Sequence, residues 1–133
     1  MRLNLVLTLC ALLPNVGLVS CSAASYPYNP KLITTQTEVK FAFSANRGIL
    51  SADGTIYFVP SSDESAVFAY YNNRVVWQVK ASRECGLDAF HQVLRTLKLT
   101  PANLEVVYGK HSFLTIVRST EQVTCQGRDQ YSS

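Results

Sequence analysis

"GLDAFHQVLRTLKL", residues 86–99, decides the fold class that the sequence suggests. Leu87, Phe90, Leu94 and Leu97 recur at intervals of three and four. That spacing lays apolar side chains along one stripe of an α-helix. Asp88 would stand in the first turn and Lys98 near the last, each favourable to the helix dipole. Thr100-Pro101 ends the pattern, because the residue before a proline avoids helical backbone. The expectation is one amphipathic helix over 86–99 with its leucine stripe in the core.

The flanking segments change period. In "TEVKFAFS", residues 37–44, Val39, Phe41 and Phe43 alternate with Lys40 and Ala42, the pattern of a half-buried strand. "GILS" and "TIYFVP" follow as short strands around the Ala52-Asp53-Gly54 turn. "AVFAYYNNRVVWQVKA", residues 66–81, reads as a hairpin, since asparagine tolerates the positive φ of a tight turn at Asn72-Asn73. After the helix, "LEVVYGKHSFLTIVRS" gives two strands turning at Gly109-Lys110, and "QVTCQ" one more short strand. The expected class is α+β: a small antiparallel sheet of roughly six to seven strands with one helix packed on it, in the order β-β-β-β-α-β-β. A small barrel closed by the helix is the alternative.

Composition bounds the function classes. Hydrophobic residues make up 47% of the 133 and charged ones 16%, so the chain is globular. Net charge is +3 and the basic residues are spread singly, which excludes a basic nucleic-acid or membrane patch.

The N-terminus has the pattern of an export signal. Met1-Arg2 precedes the apolar run "LNLVLTLCALL", residues 3–13, which Pro14, Asn15 and Gly17 interrupt. A bilayer span needs about 20 apolar residues, more than this run supplies. Leu18-Val19-Ser20-Cys21 then resembles the lipobox of bacterial lipoproteins. That resemblance implies a signal peptide over 1–20, a cut before Cys21, and lipidation of its thiol by a diacylglycerol with palmitate-type chains. Two other outcomes compete: a cut after Ala24 that releases a soluble secreted protein, and an uncleaved anchor. Residues 21–35 read as a flexible tether, with Pro27 and Pro30 favouring extended backbone. Tyr26 and Tyr28 are the side chains in it able to dock on the domain. The domain itself is expected over 36–128, with a disordered tail over 129–133.

Cys10 falls in the leader, and Cys21 is acylated or removed in the two main outcomes. Cys85 and Cys125 remain. In an oxidising compartment a bridge between them is expected, worth about 3–4 kcal/mol through loop closure. Free buried thiols and a metal or redox pair are the alternatives.

Ala52 to Val79 resembles one blade of a pyrroloquinoline-quinone-type β-propeller. The segment is not repeated and a propeller needs several blades, so the likeness is read as hairpin chemistry.

Chemistry-bearing motifs are absent: no Gly-x-Ser-x-Gly, no Walker loop, no His-Glu-x-x-His. His91 reads as a helix-flank residue, and Glu38, Glu84, Asp88 and Glu105 are scattered. No catalytic residue, metal site or cofactor is assigned. Strand aromatics form the candidate binding surface: Tyr57, Tyr70, Trp77 and Tyr108, with His111 at a hairpin tip. The same rings could serve only as cross-strand pairs. The expected function is a non-catalytic exported envelope lipoprotein or secreted binding module. Its partners would be the membrane, through the lipid, and an envelope protein or cell-wall component, with no nucleic acid. A small secreted hydrolase or inhibitor-like domain is the alternative.

Overall fold

A computed structural model describes residues 26–85, 93–110 and 112–126. Ten strands among them form two five-stranded sheets. Sheet A holds β1 (Ile33–Thr34), β3 (Gly48–Leu50), β4 (Ile56–Phe58), β5 (Ala66–Tyr71) and β6 (Arg74–Lys80), in that spatial order. Sheet B runs β10 (Val123–Gln126), β9 (Ser112–Val117), β8 (Asn103–Tyr108), β7 (Leu94–Leu99) and β2 (Glu38–Lys40). All pairs are antiparallel except β1 with β3. One core contains Ile49, Tyr57, Val67 and Val79 of sheet A and Leu97, Val106, Leu114 and Ile116 of sheet B, so the sheets pack inner face to inner face. The helical content described is one α-helix, α1 (Ala81–Cys85), and a 3-10 turn at Pro30–Leu32.

The expected α+β sheet of six to seven strands is thus β-rich with ten, and the helix over 86–99 is corrected over its second half. Leu94–Leu99 is β7, in the interior of sheet B; residues 86–92, with His91, lie outside the described residues. A bulge explains the misleading period. Leu94 pairs with Tyr108 and Thr96 with Val107, which leaves Arg95 as an extra residue with no partner on β8. An extra residue reverses which parity faces inward. Leu94 and Leu97 therefore both reach the core although three apart, and Arg95 and Lys98 are exposed. Strand alternation across a bulge imitates a helical stripe. The Arg95 carbonyl also accepts a hydrogen bond from the Phe41 amide at 3.0 Å, which extends the contact with β2.

β2 is shorter than its alternation implies. The Phe43 amide bonds the Lys40 carbonyl at 3.0 Å and turns the chain, so Val39 is buried, Phe41 packs on the core, and Phe43 is 88% exposed. The hairpin at Asn72-Asn73 forms as expected, with φ of 53° and 64°. It carries its own bulge at Val76, since Ala69 pairs with Trp77 and Tyr70 with Val75.

Of the residues expected within the tether, Tyr26 and Tyr28 lie against the outer face of sheet A and Ile33–Thr34 forms its edge strand β1. Tyr28 stacks 5.3 Å from Phe58 and 5.2 Å from Tyr70, and Tyr26 stands 6.5 Å from Tyr70. Burial raises the Tyr28 phenol above its usual range, helped by the neighbouring Tyr70 and Tyr26 hydroxyls. β1 fits beside β3 because Gly48 has no side chain: a Cβ there would meet Ile33 Cδ1 at 2.6 Å and the Tyr57 carbonyl oxygen at 2.7 Å.

The Cys85–Cys125 bridge is present, with Cα atoms 5.7 Å apart. It joins α1, which continues edge strand β6 of sheet A, to edge strand β10 of sheet B. Cys125 also ends an inner row of paired residues, Val39, Leu97, Val106 and Leu114, that crosses all of sheet B.

Two outcomes test this arrangement. Leu97→Ala loses about 2–5 kcal/mol as a buried leucine truncation. Leu99→Ala, off any helical stripe but of Leu97's strand parity, loses more than about 1 kcal/mol, and Lys98→Ala stays within about 0.5 kcal/mol. Denaturant unfolding under oxidising conditions reads all three; an inert Leu99→Ala contradicts the strand. Reduction of the bridge, which spans a sequence separation of 40, lowers stability by about 4 kcal/mol. Equal unfolding midpoints before and after reduction contradict that role.

Candidate functional site

Three turns meet at the end of the sandwich away from the disulfide. Ser51–Thr55 joins β3 to β4, closed by the Ser51 amide on the Thr55 carbonyl at 2.9 Å. Gly54 occupies a φ of +91° there, which favours glycine. Thr100–Asn103 joins β7 to β8, with the Thr100 hydroxyl oxygen accepting from the Asn103 amide at 3.0 Å. Arg118–Gln122 joins β9 to β10, closed by the Val117 amide on the Gln122 carbonyl at 2.9 Å.

Arg118, at the start of the third turn, binds the other two. Its Nε donates to Tyr57 Oη at 3.1 Å, and Nη1 donates to the carbonyls of Thr100 at 3.2 Å and Pro101 at 3.0 Å. Its Nη2 donates to Asp53 Oδ2 at 3.3 Å, closing an ion pair between the two sheets. The guanidinium carbon lies 5.6 Å from the Tyr57 ring centroid, a cation–π contact. Asp53 is equally committed: its Oδ1 accepts from the Ser51 hydroxyl and, at 2.9 Å, from the Thr55 amide. The Ser51 bond, Thr55 and the Arg118 charge hold the Asp53 carboxyl below the usual range, against a smaller opposing effect of burial.

Beside this network lies an open cleft of about 530 Å³. Tyr71, Val76 and Trp77 of the β5–β6 hairpin form one wall, and Pro101, Val117 and Glu121 form the other. Trp77 stacks on Tyr57 at 5.7 Å between centroids, which fixes the aromatic wall. Four hydrogen bonds tie Arg118 to protein acceptors and Asp53 accepts three, so this pair positions the walls. A ligand would meet the Trp77 and Tyr71 rings and the exposed Ser119 and Glu121 at the rim. Among the described residues no group of three or more histidine, cysteine or acidic side chains could hold a metal ion.

Of the aromatic residues singled out in the sequence, Tyr57 and Trp77 meet at the cleft, and Tyr70 and Tyr108 lie elsewhere. Tyr57 is buried on the inner face beneath the cleft, and half-buried Trp77 lines it. Tyr70 is on the outer face of sheet A under Tyr26 and Tyr28. Tyr108 is core, at the opposite end of β8. His111 and Cys21 lie outside the described residues. Arg118, Asp53 and Glu121 were not legible: each is a single charge in a turn, and nothing local to "VRSTEQ" announces a partner 61 or 65 residues away. Compared with protein-family models, curated proteins and solved structures, the chain matches none.

Arg118→Ala is expected to lose about 1.5–3 kcal/mol, the worth of a charged hydrogen-bonded group, with Arg118→Lys recovering less than half because lysine lacks the planar fork. The Asp53 contribution depends on pH. With the folded pKa below 3.8, the unfolded state binds more protons as pH falls, so this stabilisation is complete above about pH 4–5 and is lost as pH falls through the folded value. Urea midpoints across that range should fall less steeply for Asp53→Asn than for the parent protein; parallel curves contradict it.

Proposed function

We propose that the chain is an exported, lipid-anchored and non-catalytic binding module, held at the cell envelope through Cys21, with the cleft beside Trp77 as its ligand seat. The observation that carries the reading is the bridge between Cys85 and Cys125. Such a bridge suits an oxidising compartment outside the cytosol. It also occupies the two cysteines outside the N-terminal segment, leaving Cys21 after Leu18-Val19-Ser20 as the thiol for a lipid.

The cleft supports the binding part of the reading. An aromatic wall with a few polar groups at its rim is the usual composition of a ligand seat. The ligand in this reading is an envelope protein or cell-wall component.

Intact mass of the mature protein from native membranes tests the anchor. The expected mass begins at Cys21 and carries diacylglyceryl and acyl groups. Cys21→Ser should incorporate no labelled fatty acid and should leave the membrane fraction. A chain beginning at Ser25, or equal label in both proteins, contradicts the anchor.

A further inference from the structure

The outer face of sheet A carries an apolar row one pair inside the Asn72-Asn73 turn. Leu50 pairs with Ile56, Ile56 with Tyr70, and Tyr70 with Val75, so the four side chains share one face. Leu50 and Val75 are 38% and 41% exposed. Tyr26, 37% exposed, leans on Tyr70 and extends the row outward. Tyr71 and Arg74, the next pair toward the hairpin tip, alternate to the cleft side. The next row, Gly48, Phe58 and Phe68, differs in being covered by Tyr28 and Ile33. The chain therefore roofs half of this face with its own residues and leaves the half beside Tyr26 open.

What covers the open half follows from chain length. Cys21 stands five positions before Tyr26. Five residues reach at most about 18 Å even when fully extended. A glycerolipid on Cys21 thus holds the bilayer surface within that distance of Tyr26, since Tyr26 is pinned to Tyr70. The tether is short because residues 26–34 belong to the domain. We infer that the Leu50–Ile56–Tyr70–Val75 row, with Tyr26, seats on the lipid headgroup layer, so that sheet A faces the membrane and sheet B faces away. The inference rests on the lipid-anchor reading. Its side-chain chemistry fits: tyrosines place an apolar ring and a polar hydroxyl at such an interface. The opposite outer face carries the charged row Glu38, Lys98 and Glu105, beside the exposed ring of Phe113.

The test uses the mature acylated protein in vesicles of phosphatidylethanolamine and phosphatidylglycerol. Val75→Cys and, separately, Leu50→Cys carry an environment-sensitive fluorophore, with Lys98→Cys as the control on sheet B. Intact mass of each sample reports the acyl groups. A headgroup-level spin-labelled lipid should quench the labels at 75 and 50 at least three-fold more than the label at 98. Equal quenching at the three positions in acylated protein overturns this orientation and leaves the anchor standing. A label at 75 or 50 that is shielded from water yet not quenched reports protein on this face, and also overturns it. Protein from native membranes without acyl mass overturns the anchor and this inference together.

Discussion

The pairing of β7 on both of its edges is the constraint on which the rest of the structure depends. β7 stands between β8 and β2, so without it sheet B loses its continuity and Val39 loses Leu97 as neighbour. The bulge at Arg95 makes that position possible for this sequence. It brings Leu94, Leu97 and Leu99 to one face while Arg95 and Lys98 stay in water. The inner row through Leu97 continues across the sheet to Cys125, so the same register that buries the leucines delivers the cysteine to its partner.

The two ends of the sandwich then have different jobs. Near α1 the disulfide clips edge strand β6 to edge strand β10. At the far end of the same strands no covalent link exists among the described residues, and Arg118 does the joining through Tyr57, Asp53 and two carbonyls. A guanidinium suits this because its donors fan out in one plane and reach two other turns and the Tyr57 hydroxyl at once. The cleft beside it is a consequence: the turns are held close, but Tyr71 and Trp77 on one side and Glu121 on the other are left with a gap between them.

Features set by neighbours in sequence were legible, and features set by distant partners were not. Asn72-Asn73 announced its turn because positive φ is a local property of asparagine. The disulfide was legible once Cys10 and Cys21 were set aside. The strand at 94–99 was hidden because a bulge is a two-strand feature: Arg95 is an extra residue only relative to β8. Phe43 looked buried because alternation does not say where a strand stops, and the turn bonded to Lys40 stops it. Whether Tyr57 and Tyr108 were surface or core rings stayed open in the sequence, because parity within a strand does not say which face meets a second sheet; both are buried. The docking of Tyr26 and Tyr28 was foreseeable only as a possibility of composition; its place over Phe58 and Tyr70 needs the sheet to exist first.

The central claim is that residues 94–99 are a bulged strand paired on both sides, and backbone NOEs in the isotope-labelled oxidised protein test it most directly. The account predicts cross-strand NOEs from the Leu97 segment to Val106 on one side and to Val39 on the other, with Arg95 lacking a partner on β8. Strong sequential amide–amide NOEs with i to i+3 contacts across 94–99 would mean a helix, and would contradict sheet B, the inner row and the placement of Cys125 that follows from it.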